Sequence, residues 1–376
     1  MKVLLTGGGT GGHIYPALAV AEKIRQREPE AELLFVGTES GIEMRLVPEH
    51  GYRIETVPAR AIEVDGGIAG RVKGGMKAAL GMRSGIKAAR RILKAFRPDA
   101  VVGTGGYVSF PVMMAAKSLK IPCLIHEQNA YPGRSNLILS RFANRIMLGF
   151  REAGPIFHAE EKTVFTGNPI RAMFLGVSRE EAREALKIGM DDYVVFSFGG
   201  SMGSEEINSV ASAYMKRIAG QEGKVLLFGA GSEYVEEIKA QARAAGIAED
   251  GNIRILPYIL DMQYYIAASD LVVCRAGALS IAETCVLGKP AIYIPLSWSV
   301  NDHQRLNAES VAERGGAMVV DERGMDPEEV ADAIEVLGWD RERLEQMSAA
   351  SLACSVPDAA DRIYEVIKDI HERRAI

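Results

Sequence analysis

Short runs of β-branched and large apolar residues alternate along the chain with longer, Ala-rich stretches whose apolar positions recur at helical spacing. In the first half the runs are KVLLT, ELLFVG, RIETVP, AVVGTG, CLIHE, RIMLGF and TVFTG. Such runs read as strands and the stretches between them as helices, and their strict alternation is the pattern of an α/β protein with a mainly parallel sheet. After Gly167–Arg171 (GNPIR) and a charged helix over Arg179–Leu186, the rhythm restarts with YVVFSFGGSMGS, KVLLFGAG, IRILPYI, DLVVCRAGALS, PAIYIP and AMVV. Two doubly wound sheets in tandem are therefore expected, and 376 residues suffice for two cores. The last stretch, Asp358–Arg374, carries Ile363, Val366, Ile367 and Ile370 at helical spacing among charges, which predicts an amphipathic helix.

The two halves open alike, VLLTGGGTGG against VVFSFGGSMGS, each a buried strand running into a glycine turn and a helix. In such sheets ligands sit beyond the carboxyl ends of the strands, and two sheets face to face would share one cleft. A third glycine turn lies in VVGTGGYVSFP, Val101–Pro111. Each turn exposes backbone N–H groups at a helix start, where the helix dipole favours phosphate or developing negative charge. Gly7, Gly9 and Gly12 also satisfy the dinucleotide pattern G-x-G-x-x-G, so a dehydrogenase must be weighed; its acidic ribose partner would be Glu39, beyond the usual spacing. No Walker-type phosphate loop, G-x-x-x-x-G-K-[ST], occurs in the chain, and the pair Gly288-Lys289 is followed by proline.

Composition narrows the class. Hydrophobic residues make up 48% and charged residues 25%, as in ordinary globular proteins. The four cysteines, Cys123, Cys274, Cys285 and Cys354, are scattered and form no zinc-type cluster, so reduced thiols in a cytosolic protein are expected. The start MKVLLTGGG offers an apolar run too short for a signal peptide, and no run long enough to span a bilayer follows; neither export nor membrane crossing is expected. Net charge is −5, yet Arg60–Pro98 holds ten Lys/Arg against Glu63 and Asp65, which makes that segment +8 and the remainder −13. An anionic surface is the expected partner. Ile68, Val72, Met76, Leu80, Met82 and Ile86 lie among these cations, which fits a membrane surface. An ordinary helix with solvated charges is the competing reading, and the absence of aromatic residues in 60–95 weakens nucleic acid as a partner.

Further chemistry gathers at other strand ends. In DLVVCRAGALSIAET, Asp270–Thr284, a strand turns at Arg275-Ala276-Gly277 into a helix opening at Ala278-Leu279-Ser280, whose first N–H groups suit a diphosphate. Glu283, a turn further on, either accepts hydrogen bonds from both ribose hydroxyls or merely complements the dipole. NDHQRLNA, Asn301–Ala308, offers amides that read sugar hydroxyls, and HEQNAYPGRSN, His126–Asn136, concentrates His, Glu, Gln and Asn in four positions.

Together TGGGTGGHIYPALAVA, GTGGYVSFP, HEQNAYPGRSN, TGNPIR, GGSMGS, CRAGALSIAE and HQRLNA resemble one family over essentially the whole chain, the MurG glycosyltransferases of glycosyltransferase family 28. The resemblance implies the GT-B fold, two Rossmann-like doubly wound domains facing a central cleft. These would be an acceptor and membrane-binding domain over 1–166, a UDP-sugar donor domain over 167–355, and a helix over 356–376 packing back on the first. It implies transfer of N-acetylglucosamine, with inversion, from UDP-N-acetylglucosamine to lipid I, the undecaprenyl-diphospho-muramoyl-pentapeptide, giving lipid II. The implied place is peripheral, on the cytoplasmic face of the bacterial membrane, with partner proteins of cell-wall synthesis and no obligatory metal or cofactor. Carried over by position, Arg171, Ser201 and the Ala278-Leu279-Ser280-Ile281-Ala282 helix start meet the donor diphosphate in the C-terminal half. Ile259 meets uracil, Glu283 the ribose and Gln304 the sugar hydroxyls. Thr10, Gly11, Gly12 and Asn129 reach the donor sugar, and Gly105, Gly106, Tyr107, His126 and Asn136 are acceptor-side candidates. Two departures from the family stand in the chain: Asp302-His303-Gln304-Arg305 stands where many relatives have a Gln-Gln or Asn-His-Gln run, so the role of His303 stays open and it is not among the catalytic candidates, and Met202 stands where many have glutamine.

Inversion in one displacement needs a base for the acceptor hydroxyl and no covalent enzyme intermediate. His13 and Glu127 are both candidates, since imidazole titrates near neutrality and burial can raise a glutamate. His13 is favoured, with Glu127 nearly level. The opening glycines would then clear space for sugars to approach backbone N–H groups. A nonhydrolysing UDP-N-acetylglucosamine epimerase of the same fold and a noncatalytic sugar-nucleotide-binding membrane module stay open as alternatives.

Overall fold

The computed structural model describes residues 1–59, 68–248 and 251–375, with the backbone alone for 68–80 and 374–375. The chain divides into two units, Met1–Arg171 with Pro357–Ile376, and Ala172–Val356. Arg171 and the TGNPIR segment thus belong to the first unit, not to the C-terminal half where the sequence reading puts them.

In the first unit β1 (Lys2–Gly7), β2 (Glu32–Gly37), β3 (Arg53–Thr56), β4 (Ala100–Gly105), β5 (Cys123–Glu127), β6 (Arg145–Leu148) and β7 (Thr163–Phe165) form a parallel sheet ordered β3-β2-β1-β4-β5-β6-β7. Its connections carry α1 (Gly11–Arg27), α2 (Glu43–Glu49), α3 (Ile68–Phe96), α4 (Ser109–Ser118) and α5 (Arg134–Leu139). Every residue of β4 and β5 is buried. Helices cover both faces of such a sheet, which is why its strands read as unbroken apolar runs.

The second unit begins with α6 (Arg179–Leu186), opened by a capping box of Ser178 and Glu181. Strands β8 (Tyr193–Phe198), β9 (Lys224–Gly229), β10 (Ile253–Leu256), β11 (Leu271–Cys274), β12 (Ala291–Tyr293) and β13 (Ala317–Val319) lie parallel in the order β10-β9-β8-β11-β12-β13. Around them run α7 (Glu205–Ile218), α8 (Val235–Ala244), α9 (Met262–Ala268), α10 (Ala278–Val286), α11 (His303–Ala312), α12 (Pro327–Trp339) and α13 (Arg341–Ala353). Their core joins Val195, Tyr214, Leu226, Phe228, Val273 and Ile334.

The last helix, α14 (Ala359–Ala375), returns to the first unit. Its Ile363, Tyr364, Ile367 and Ile370 bury themselves with Val3, Leu5, Ile14 and Ala17 from β1 and α1. Asp361 meets Lys23 at 3.0 Å and also pairs with Arg27, and the Tyr364 hydroxyl donates to Glu28 Oε1 at 3.0 Å. The helix is therefore structural for β1 and α1, the pair that carries the opening glycine turn. Replacing the fully buried Ile367 by alanine is expected to lower the stability of this unit by about 2–5 kcal/mol. Urea unfolding read at the first unit's tyrosines measures it, and a loss below ~1 kcal/mol would mean that α14 is only loosely docked.

Candidate functional site

In each sheet the strand order reverses once, between β1 and β4 and between β8 and β11. Connections leave in opposite directions at such a point and open a crevice at the strands' carboxyl ends. Most of the predicted site residues lie on the loops and helix starts at these ends.

In the first unit the turns after β1 and β4 lock together. A Cβ on Gly7 would stand 2.0 Å from Thr104 Oγ1, one on Gly106 2.3 Å from the Gly8 carbonyl oxygen, and one on Gly105 2.7 Å from His13 Nδ1. Gly105 and Gly106 also hold φ of +105° and +79°, which side-chain-bearing residues rarely adopt. These glycines serve turn-to-turn contact, and they let the His13 ring lie against β4. Gly12 alone fits the expectation of open space, since it is exposed and a Cβ there would meet only Thr10 Oγ1. Thr10, also exposed, stands at the N-cap of α1 without a side-chain capping bond, so the N–H groups of Gly11 and Gly12 precede the first helical bonds.

His13 occupies the first turn of α1, half-buried. Its Nδ1 lies 3.1 Å from the Thr104 carbonyl oxygen and 3.2 Å from Gln128 Oε1. Its Nε2 has no protein partner among the described residues. Tyr107 is half-buried with its ring beside Gly9.

The HEQN segment behaves differently from its sequence reading. His126 is fully buried, 3.0 Å from the Gly167 carbonyl oxygen through Nε2, and burial pushes its imidazole from the ordinary 6.5 down to about 4. It stands behind the turn rather than on an acceptor surface. Glu127 is buried too, and its carboxylate accepts four bonds: Asn129 N at 3.0 Å, Asn129 Nδ2 at 3.2 Å, Gly133 N at 3.0 Å and Asn136 Nδ2 at 2.8 Å. Those donors use the lone pairs a base would need, and they tie Asn129 and Asn136 into one loop. Asn168 Nδ2 donates to the Gln128 carbonyl oxygen at 2.9 Å, so TGNPIR braces HEQN. Arg171 ends that segment with its guanidinium 4.9 Å from the centroid of the Tyr15 ring, a cation–π contact within the first unit.

Sequence reasoning missed Glu43. This buried carboxylate accepts from Thr38 N and Thr38 Oγ1, both at 2.9 Å, and from Gly9 N at 3.2 Å. It takes up an amide of the G-x-G-x-x-G turn that a dinucleotide pyrophosphate would want, while Glu39 is exposed at the end of β2. A carboxylate 34 residues along the chain from Gly9 has no local signal; only the fold brings it there.

In the second unit, Gly203 and Gly231, with φ of +101° and +88°, interlock the turns after β8 and β9 in the same manner. Ser204 caps α7, its Oγ accepting from Ile207 N. Ser201 and Met202 are exposed at the tip of the turn, and nothing stands within 4 Å of where a Gly200 Cβ would be. Across β11, Arg275 bonds Ser204 Oγ at 2.8 Å and the Ile294 carbonyl oxygen at 3.1 Å, and pairs with Glu206 and Glu322. Burial alone would raise the Glu322 carboxyl, but hydrogen bonds from Ser297 together with Arg275 hold it below its ordinary value. Glu206 and Glu322 carried no sequence signal either.

Helix α10 begins at Ala278 after Gly277 with no side-chain cap, and its first internal bond runs from Ile281 N to the Gly277 carbonyl oxygen at 3.0 Å. The N–H groups of Ala278, Leu279 and Ser280 thus lie ahead of the ladder. Ile281 is buried in the core, whereas Ala282 and Glu283 are half-buried. Ile259 is half-buried beyond β10, between exposed Tyr258 and Leu260. Gln304 Oε1 accepts from Leu296 N at 3.0 Å, which leaves its Nε2 without a protein partner among the described residues. His303 Nδ1 donates to the Val300 carbonyl oxygen at 2.8 Å and closes the turn before α11. Asn301 and Asp302 in that turn have φ of +56° and +55°, tolerated by their short polar side chains.

Residues 60–67 of the basic segment lie outside the described residues, as do the side chains of Ile68, Val72, Met76 and Leu80. Over the rest of α3, Ile86, Ala89, Ile92 and Leu93 pack into the core while Arg83, Lys87, Arg90, Arg91 and Lys94 are exposed. Among the described residues no helix is long and apolar enough to cross a membrane. Cys123, Cys274 and Cys285 are buried, and burial raises their thiols well above the usual range, which makes them poor nucleophiles.

Paired parallel α/β units, with glycine turns and an uncapped helix start at their switch points, place the chain in the GT-B class of proteins. Residues 3–148 match the glycosyltransferase family 28 N-terminal domain, and residues 194–363 the family 28 C-terminal domain. The UDP-N-acetylglucosamine--N-acetylmuramyl-(pentapeptide) pyrophosphoryl-undecaprenol N-acetylglucosamine transferase of Acetivibrio thermocellus is 43% identical, over 100% of both chains. Among solved structures, Acinetobacter baumannii MurG aligns with a TM-score of 0.76 and 29% identity, covering 98% of this chain and 99% of its own. A UDP-GlcNAc 2-epimerase from Neisseria meningitidis, bound to UDP-GlcNAc, aligns at 0.69 over 98% of this chain and 100% of its own, but at 14% identity it shares the fold alone. The chain belongs to glycosyltransferase family 28.

The buried His126 yields a pH dependence. Its folded value lies below its unfolded one, so between about pH 6.5 and 4 the unfolded chain binds the extra proton and stability falls as pH falls. From pH 7 to pH 5 this costs on the order of 1–2 kcal/mol. Urea midpoints at the two pH values should show that loss, and His126→Gln should remove it; an equal slope in the variant would assign acid sensitivity elsewhere.

Proposed function

We propose that this enzyme transfers N-acetylglucosamine from UDP-N-acetylglucosamine to the 4-hydroxyl of the muramoyl sugar of lipid I, forming lipid II. The observation that carries the chemistry is the His13 imidazole, whose Nδ1 is committed to Thr104 and Gln128 while Nε2 has no partner among the described residues. Nε2 takes the acceptor proton as the hydroxyl oxygen bonds to the anomeric carbon, and the bond to UDP breaks with its electron pair leaving on the diphosphate. The open N–H groups of Ala278, Leu279 and Ser280 stabilise that charge. Ile259 faces uracil, Glu283 the ribose hydroxyls, and the Gln304 amide the sugar. Glu127, with four donors on its carboxylate, organises the loop that presents Asn129 and Asn136 instead of acting as the base.

The exposed cations of α3 bring the enzyme to an anionic membrane surface, where a polyprenyl acceptor is embedded. The reaction supplies peptidoglycan synthesis, and through it cell shape and division.

Transfer of labelled N-acetylglucosamine from its UDP donor to a lipid I analogue tests the reading, with and without EDTA. A β-1,4-linked disaccharide lipid that persists in EDTA is expected. His13→Ala should lower kcat by about 10²–10⁴ with the melting temperature kept. Glu127→Ala should lower the melting temperature along with the rate. Epimerised donor without transfer would move the assignment to an epimerase, and binding without turnover to a noncatalytic module. Sedimentation with phosphatidylglycerol vesicles, lost at high salt or when Arg83, Lys87, Arg90 and Arg91 become glutamine, checks the surface contact.

A further inference from the structure

Hydrogen bonds around His13 have a direction that can be traced from its far end. His126 is fully buried and neutral, so its ring carries one N–H. Its Nε2 is 3.0 Å from the Gly167 carbonyl oxygen, which can only accept, so the proton is on Nε2 and Nδ1 is bare. Gln128 Nε2 lies 2.9 Å from that bare Nδ1 and 3.1 Å from the His126 carbonyl oxygen, so both amide hydrogens are spoken for. This orients the amide and turns its Oε1 to His13 Nδ1. Facing two acceptors, the Gln128 amide oxygen and the Thr104 carbonyl oxygen, His13 Nδ1 must hold the ring proton.

We infer that Gln128, clamped by His126, is a positioning residue that holds the His13 ring proton on Nδ1 and leaves the lone pair on Nε2. The catalytic consequence rests on the reading of His13 as the base; the tautomer does not. Gln128 follows the end of β5 and its amide reaches back to the ring and the carbonyl oxygen of His126, while the Glu127 carboxylate between them is taken up by Asn129, Gly133 and Asn136. The Gln128 backbone is fixed in turn by Asn168 Nδ2 on its carbonyl oxygen, beside the Gly167 carbonyl that anchors His126. A ring free to exchange tautomers would present an N–H, useless to a base, for part of the time. An acceptor fixed on the other nitrogen removes that loss, as the orienting partner of a catalytic histidine does elsewhere.

The test uses the full chain labelled with ¹⁵N in its six histidine rings, with His13 assigned by its absence from the spectrum of His13→Ala. Two-bond ¹H–¹⁵N correlation identifies the protonated ring nitrogen in the unliganded protein. Wild type should show His13 protonated on Nδ1. Gln128→Met, which keeps the side-chain length but removes the acceptor, should give a mixture of tautomers. Since the Thr104 carbonyl still faces Nδ1 in this variant, the expected change is a larger share of the Nε2–H form and not its full replacement, and kcat should fall about tenfold or more while KM for the donor stays unchanged. Wild-type His13 protonated on Nε2 would overturn the inference without any variant, and so would an unaltered ring pattern in Gln128→Met. A shifted tautomer with full turnover would uphold the clamp and take the base role away from His13, so the two readings fail separately.

Discussion

The first unit depends on a close approach that only glycine permits. Gly105 carries no Cβ because the imidazole of His13 stands 2.7 Å from where it would be, and Gly106 carries none because the Gly8 backbone is there. At a switch point two neighbouring strands end side by side, and their turns must share one space. Small turns let the helix start of α1 and the end of β4 come within hydrogen-bond reach, so that Thr104 Oγ1 donates to the His13 carbonyl oxygen at 2.7 Å and its own carbonyl receives the ring. That contact holds the imidazole against β4, and Gln128 supplies the second partner of its Nδ1. The opening glycine turn, read alone, suggests room for a ligand; in place, most of that room is filled by the neighbouring turn.

The second unit meets the same constraint and adds charge. Arg275 stands between Glu206 and Glu322 and hydrogen-bonds the cap of α7, so the turns after β8, β11 and β12 share one cation. A half-buried guanidinium satisfied on both sides is a strut, since each partner removed would leave a charge without compensation. It holds the loop of Ser297 through Glu322, and the same loop holds Gln304 through the Leu296 amide. The start of α10 stays outside this network, and no side-chain cap takes its first N–H groups.

Strands and glycine turns are legible in the sequence because they are local and periodic. KVLLT, AVVGTG, CLIHE and DLVVC coincide with β1, β4, β5 and β11, and the glycine turns sit at their carboxyl ends. Roles decided by distant partners are not. His126 lies under the turn because it finds the carbonyl of Gly167, forty-one residues away, and Glu127 is filled by donors from Asn129, Gly133 and Asn136. In sequence both look like polar residues exposed at the end of a strand. Glu43 is the sharper case: a glutamate at the start of a short helix is commonplace, and its bond to Gly9 exists only once β2 pairs with β1. A motif places Arg171 in the donor half, but it packs with the first unit, its guanidinium over the Tyr15 ring.

The fold itself does not choose among reactions. A UDP-GlcNAc 2-epimerase aligns over nearly the full length at 14% identity, so the parallel sheets and their crevices are common property. What separates one chemistry from another is which strand end carries a base, in which protonation state, and what it can reach. An epimerase must move a proton at carbon within the donor, whereas an inverting transferase needs only a hydroxyl deprotonated as it attacks, a task suited to a neutral imidazole with a fixed lone pair. The Nδ1 of His13 faces two acceptors, the Gln128 amide oxygen and the Thr104 carbonyl oxygen, and His126 behind Gln128 is kept neutral by burial. The His13 ring is thus oriented by a side-chain relay laid on a shared backbone, and the relay is assembled from HEQN, TGNP and the two glycine turns acting as one unit.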